Sequence, residues 1–118
     1  MKIKCKIWLE KDGEIILGRG REDLLMAIDV CGSLYGAAKK LNMSYRAAWG
    51  KIRSSEQRLG VKLVETRTGS KGLKLTPSAL ALLREFHQCE DNIASYVENK
   101  PFRLTLPNSS SDQQKQIS

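Results

Sequence analysis

Residues 44–53 read SYRAAWGKIR, a run that brings a hydroxyl, a phenol, an indole and two guanidinium groups into one short segment. These side chains suit a nucleic-acid groove. A guanidinium can donate two hydrogen bonds to guanine O6 and N7, and aromatic rings can meet thymine methyls or the sugar-phosphate wall. At 100° per residue on a helix, Tyr45, Arg46, Trp49 and Arg53 cluster on one side, while Ala48, Ile52 and Leu59 lie towards the other, with Ala47 at the edge. The small residues let such a helix sit close on a neighbour, and Gly50 keeps its outer surface low. Neither arginine has an acidic partner four residues away on either side, so an i,i+4 ion pair does not account for them. Structural uses remain open for two aromatics: Trp49 as a partly buried core residue, and Tyr45 packed on the preceding turn.

Other chemistry finds little support. His87 and Cys89, two positions apart, diverge by about 200° on a helix and cannot share a proton directly. Pairing Cys31 with Asp29 fares no better as a nucleophile site, and there is no glycine-rich phosphate loop and no clustered set of carboxylates, so no catalytic residues are assigned. His87 and Cys89 alone lack the third and fourth ligands a metal needs, so neither a metal nor a cofactor is expected. Cys5, Cys31 and Cys89 are odd in number, widely spaced and never in a CxxC arrangement, which suits a reducing compartment. The opening MKIKCKIWLE lacks a signal peptide's apolar core, and no run approaches the roughly 18 apolar residues of a membrane span. A cytoplasmic protein without membrane contact is expected.

Charge points to the same partner as the aromatic run. The 118 residues carry a formal +7, with a pI near 9.5. Residues 44–74 hold Arg46, Lys51, Arg53, Arg58, Lys62, Arg67, Lys71 and Lys74 against Glu56 and Glu65, a local excess of +6. From residue 85 onward acids outnumber bases. A field concentrated in this way attracts a polyanion.

The elements that must position these residues can be read from pattern, and the length fits one domain. Ile3, Cys5, Ile7 and Leu9 alternate with Lys4, Lys6 and Trp8 as a half-buried strand would, and Asp12-Gly13 supplies a tight turn, giving a β-hairpin over 1–18. Leu24, Leu25, Ile28 and Cys31 define a first helix over about 21–31, stopped by Gly32. Ser33 opens a short second helix with Leu34, Ala37, Ala38 and Leu41 inward. Asn42 and Met43 turn the chain, and Ser44 caps a third helix that runs to Leu59 and ends at Gly60. Residues 33–59 thus form a helix-turn-helix.

In 61–75, Val61, Leu63 and Glu65 alternate with Lys62, Val64 and Thr66, then TGSKG and LKLT follow; two short strands around a basic loop make a wing. Thr76 caps a last helix over 77–100 with Pro77 at its first position. Its stripe, including Leu82, Leu83, Phe86, Cys89, Ile93, Tyr96 and Val97, exceeds what so small a body needs. A homodimer interface through Leu82, Phe86, Cys89, Ile93 and Val97 is therefore expected. Residues 101–118 are too polar to repay ordering and are expected to form a flexible tail.

These motifs also carry a resemblance. SYRAAW in the third helix and LVETRTG leading into a shortened wing resemble the winged helix-turn-helix of the LysR superfamily, and most closely the N-terminal domain of ModE-type, molybdate-dependent regulators. The similarity covers about residues 20–98. It implies a dimeric DNA-binding domain of a transcriptional regulator, with Ser44, Tyr45, Arg46 and Trp49 facing DNA and Lys71 on a phosphate. Full-length members continue into molybdate-binding domains, whereas here a polar tail follows.

The sequence reading is therefore mainly α with small β, a winged helix-turn-helix over 1–100 that binds double-stranded DNA. Ser33, Ser44, Tyr45, Arg46, Trp49, Arg53, Arg67 and Lys71 are the expected DNA contacts. The rival is a winged-helix protein-docking module, which would present an apolar outer face on the third helix. No segment offers the converging N–H groups and cation that a tetrahedral oxyanion needs. No small-molecule ligand is expected, and DNA binding should not respond to molybdate.

Overall fold

Three hydroxyls set where helices begin. In the computed structural model, which describes residues 1–69 and 71–107, Ser33 Oγ accepts the Gly36 N–H at 3.0 Å. Ser44 Oγ accepts from Ala47 at 3.0 Å, and Thr76 Oγ1 from Ala79 at 3.1 Å. Each satisfies a donor that a helix start leaves without a partner. They open α2 (Leu34–Lys40), α3 (Tyr45–Leu59) and α4 (Pro77–Asn99), while α1 spans Arg19–Cys31 and starts without a side-chain cap. Gly32 and Gly60, at φ 71° and 81°, end α1 and α3 by donating their N–H groups to Ile28 and Glu56 carbonyls.

Two small antiparallel hairpins complete a mainly helical fold: β1 (Leu9–Lys11) with β2 (Glu14–Leu17), and β3 (Val64–Thr66) with β4 (Leu73–Leu75). Asp12 and Gly13, both at positive φ, make the first turn as their residue types suggest. The core gathers Ile16 and Leu17 of β2, Leu24, Leu25 and Ile28 of α1, and Ala48 and Ile52 of α3. Leu63, Leu73 and Leu75 join it from the wing, and Leu83 and Phe86 from α4. Every element thus contributes to one interior except β1, whose residues are exposed.

Several sequence expectations are corrected here. The strand expected over 3–9 is confined to Leu9–Lys11, and Ile3 and Cys5 are exposed, with Ile7 alone half-buried. Its partner is the reason: β2 pairs no further than Leu17 opposite Leu9, because Gly18 already turns the chain into α1. In the wing the strict alternation fails as well. Leu63 and Val64 are both buried and Val61 is exposed, since β3 begins only at Val64. Cys31 is exposed, and Ala27 takes the inward position on α1. Phe86, expected at a dimer interface, is 6% exposed and packs into the chain's own core, so a second copy cannot use it.

Beyond Phe86, α4 buries no residue fully, although Ile93 and Val97 are half-buried. They line cavities shared with the N-terminal residues: Cys5 and Ile7 lie opposite Ile93, and Met1 and Ile3 opposite Val97. Of the expected tail, residues 101–107 are exposed and carry no helix or strand; 108–118 lie outside the described residues.

At the junction of α1 and α4, Glu22 is buried, which its neighbours in sequence do not announce. Burial first, then a carboxyl hydrogen bond and the charge of Glu90, push its carboxyl up to about 7, with His87 acting in the opposite direction.

Candidate nucleic-acid interface

The third helix is seated by polar contacts at its C-terminal half, which leaves its N-terminal half outward. Arg21 of α1 donates through Nη1 to Ser54 Oγ at 2.7 Å and Ser55 Oγ at 2.8 Å, and to the Lys51 carbonyl. Ser55 in turn donates to the Ile16 carbonyl at 2.7 Å. Arg58 reaches the first hairpin, donating to the Ile15 carbonyl and pairing with Glu14 at 2.7 Å. Below these, Ala48 and Ile52 are buried, so the helix cannot rotate without exposing them.

Glu56, in sequence one of two acids within a basic stretch, sits at the centre of this arrangement. It is 8% exposed, and its Oε2 accepts the Leu63 N–H at 2.8 Å and the Val64 N–H at 3.4 Å. Thr76 closes the other side of the wing base, donating from its hydroxyl to the Lys62 carbonyl at 2.7 Å and from its N–H to the Leu63 carbonyl at 3.0 Å. One carboxylate therefore fixes where the wing leaves α3. The available signal was slight, a lone acid four residues before the helix-ending glycine.

On the outer face of α3 the expected residues come together. Tyr45 and Trp49 meet edge to face with centroids 6.3 Å apart, and the Arg53 guanidinium lies 4.8 Å from the Trp49 ring centroid. Tyr45 is 51% exposed, whereas Trp49 is half-buried and packs partly on the core, so it serves both structure and surface. Arg46 and Arg53 are exposed. The Ser44 hydroxyl already accepts from Ala47, leaving its own hydrogen for a donor role.

Gly50, between these residues, faces open space: a Cβ built there meets nothing within 4 Å. In a helix interior this glycine costs stability without relieving a clash. Gly50→Ala is therefore expected to raise unfolding stability by about 0.5–1 kcal/mol, read as a higher urea midpoint at unchanged slope. A lower midpoint would mean that a contact at this face had been missed.

Ser33 and Arg67 sit apart from that cluster, around the turn between α1 and α2. Ser33 is half-buried as the cap of α2. The Arg67 guanidinium covers Gly32 so closely that a Cβ on that glycine would lie 2.5 Å from Nη1, and Leu73 N–H donates to the Gly32 carbonyl at 2.9 Å. These contacts dock the wing base on the helix-turn-helix. Lys71 is exposed in the loop between β3 and β4; Lys74 is cross-strand from Glu65, 3.6 Å away.

A helix-turn-helix with its outward face rich in guanidinium and aromatic groups, joined to a basic two-stranded wing, defines a winged helix-turn-helix DNA-binding domain. Residues 23–80 match the family of bacterial regulatory helix-turn-helix proteins of the lysR family, so this segment is a LysR-family helix-turn-helix domain. It is similar to the molybdenum-pterin-binding protein MopB of Rhodobacter capsulatus, at 30% identity over 93 residues, 76% of this chain and 34% of MopB. It also resembles the molybdenum transport protein ModE of Herbaspirillum seropedicae, at 37% identity over 70 residues, 57% of this chain and 26% of that protein. The chain thus spans about a third and about a quarter of these relatives' lengths. Among solved structures, a CbnR DBD–DNA complex shares the fold with a TM-score of 0.53 at 20% identity, covering 83% of this chain and 94% of the other. Among the described residues no helix is long and apolar enough to cross a membrane.

Proposed function

We propose that this chain is a sequence-specific transcriptional regulator that inserts the N-terminal half of α3 into the major groove of duplex DNA and lays its wing along a phosphate backbone. The observation that carries this is the contiguous surface of Tyr45, Trp49 and Arg53 beside Arg46, seated on a buried Ala48 and Ile52. A docking module would need an apolar face there, and this one is cationic and aromatic. The CbnR structure is a complex with DNA, which supports the same use of the shared fold.

Two substitutions separate reading from grip. Arg46→Ala is expected to cost about 1–3 kcal/mol on a selected site and to relax preference at one base position. Lys71→Ala should weaken all duplexes alike. Both are measured by binding to a randomised duplex pool followed by titration of the selected site. Unchanged affinity and unchanged preference in Arg46→Ala would remove α3 as the reader.

The same reading includes a two-fold dimer through the distal part of α4, matching two half-sites about one helical turn apart. Phe86 is unavailable, which leaves Cys89, Ile93 and Val97, together with Leu82 nearer the body and the exposed Tyr96. Ile93→Glu combined with Val97→Glu is expected to convert a dimer to a monomer in sedimentation at tens of micromolar. A native chain that sediments as a monomer, or a dimer unmoved by both changes, would count against it.

A further inference from the structure

We propose that Glu22 of α1 together with His87 and Glu90 of α4 forms a binding site for one divalent transition-metal ion of the zinc class. A histidine nitrogen and one oxygen from each carboxylate lie within 4.8 Å of one another. His87 and Glu90 stand three residues apart on α4 and so share a helix face, and Glu22 meets them from another helix. The second observation is how deeply one of the three is buried. Glu22 is 8% exposed, and its Oε2 is buried and accepts no hydrogen bond, although His87 Nε2 stands 3.1 Å away. A buried carboxylate oxygen with a histidine nitrogen at ion-pair distance and a second carboxylate beside it is an arrangement that a cation can complete.

The geometry is close to what an ion requires. Zinc bonds of about 2.0–2.2 Å set neighbouring ligands roughly 3.4 Å apart, so contraction from 4.8 Å asks for movements on the order of 1 Å from each side chain. A cavity of about 520 Å³ adjoins Glu22 and Glu90 and leaves a side open for a water ligand. Arg19 and Lys6 line it as well, offset in part by Asp91. One imidazole nitrogen with two carboxylates favours a zinc-class ion over magnesium or calcium, which prefer oxygen alone. His87 and Cys89 alone are too few ligands for a metal, and the fold supplies Glu22 from 65 positions before His87.

The test is calorimetric titration of the tag-free chain with zinc chloride, with cobalt(II) absorption as a second readout. One ion per chain is expected, with no thiolate-to-cobalt charge-transfer band. Glu22→Gln and His87→Gln should each weaken binding by more than the ~10- to 100-fold that loss of a merely supporting partner costs. Zinc should raise the melting temperature of the native chain but not of His87→Gln. Should Glu22→Gln fail to fold by circular dichroism, Glu90→Gln carries the comparison, since that side chain is only half-buried. No binding at about 100 μM zinc, or binding untouched by His87→Gln and Glu90→Gln, overturns the site. Binding lost instead in Cys89→Ser, with a charge-transfer band, overturns it equally.

Discussion

Raising salt from about 50 to about 200 mM is expected to weaken duplex DNA binding by roughly 500-fold per bound chain. The figure follows from which cations are free to meet phosphate. Arg58 is committed to Glu14 and the Ile15 carbonyl, and Lys74 lies beside Glu65. With Arg46 assigned to a base, Lys51, Arg53, Lys62, Arg67 and Lys71 have no ion pair among the described residues. About five phosphate contacts at a slope near −0.9 each give a log–log slope of about −4.5, and a fourfold salt increase then costs between two and three decades. Fluorescence anisotropy at four or five salt concentrations measures the slope directly. A flat response would remove the nucleic-acid reading, and a slope near −2 would show that the wing or α3 does not engage.

Glu56→Ala should be the most destabilising change near this surface, at about 3 kcal/mol. It strands two buried N–H groups, those of Leu63 and Val64, at the base of the wing. For a domain of this size that corresponds to a fall in melting temperature of roughly 12–24 °C. Glu65→Ala is the control: its 3.6 Å pair with Lys74 is exposed on both sides and should be worth less than about 1 kcal/mol. Equal losses in the two variants would show that the Glu56 carboxylate does not hold the wing. Glu56→Gln, which keeps one acceptor, should fall between them.

The contrast between these two glutamates also explains what the sequence could disclose. Local chemistry was legible: Ser33, Ser44 and Thr76 cap helices, Gly32 and Gly60 end them, and Asp12-Gly13 turns the hairpin, because each acts on backbone a few residues away. The outward cluster on α3 was legible for the same reason, since helical spacing alone brings Tyr45, Trp49 and Arg53 together. What escaped depended on distant partners. Ile3 and Cys5 alternate like strand residues but have no strand opposite them, because α1 begins too soon. Phe86 continues an apolar stripe, yet only the packed fold assigns it to the interior. Glu22 and Glu56 look like ordinary surface acids until α4 and the wing close over them.

The division of α4 at Phe86 has a mechanical consequence. From Phe86 to Asn99 the helix runs about 20 Å at 1.5 Å per residue, and its near end is rooted in the core while its far end is not. Such a helix is a lever. A tilt of about 10° at the root carries the tip through roughly 3.5 Å, about the rise of one DNA base pair. In a two-fold pair joined at the tips, small repacking around Leu83 and Phe86 would therefore be amplified into a change in the distance between the two reading helices. Half-site spacing would then be set less by the surface that touches DNA than by how firmly this root is held.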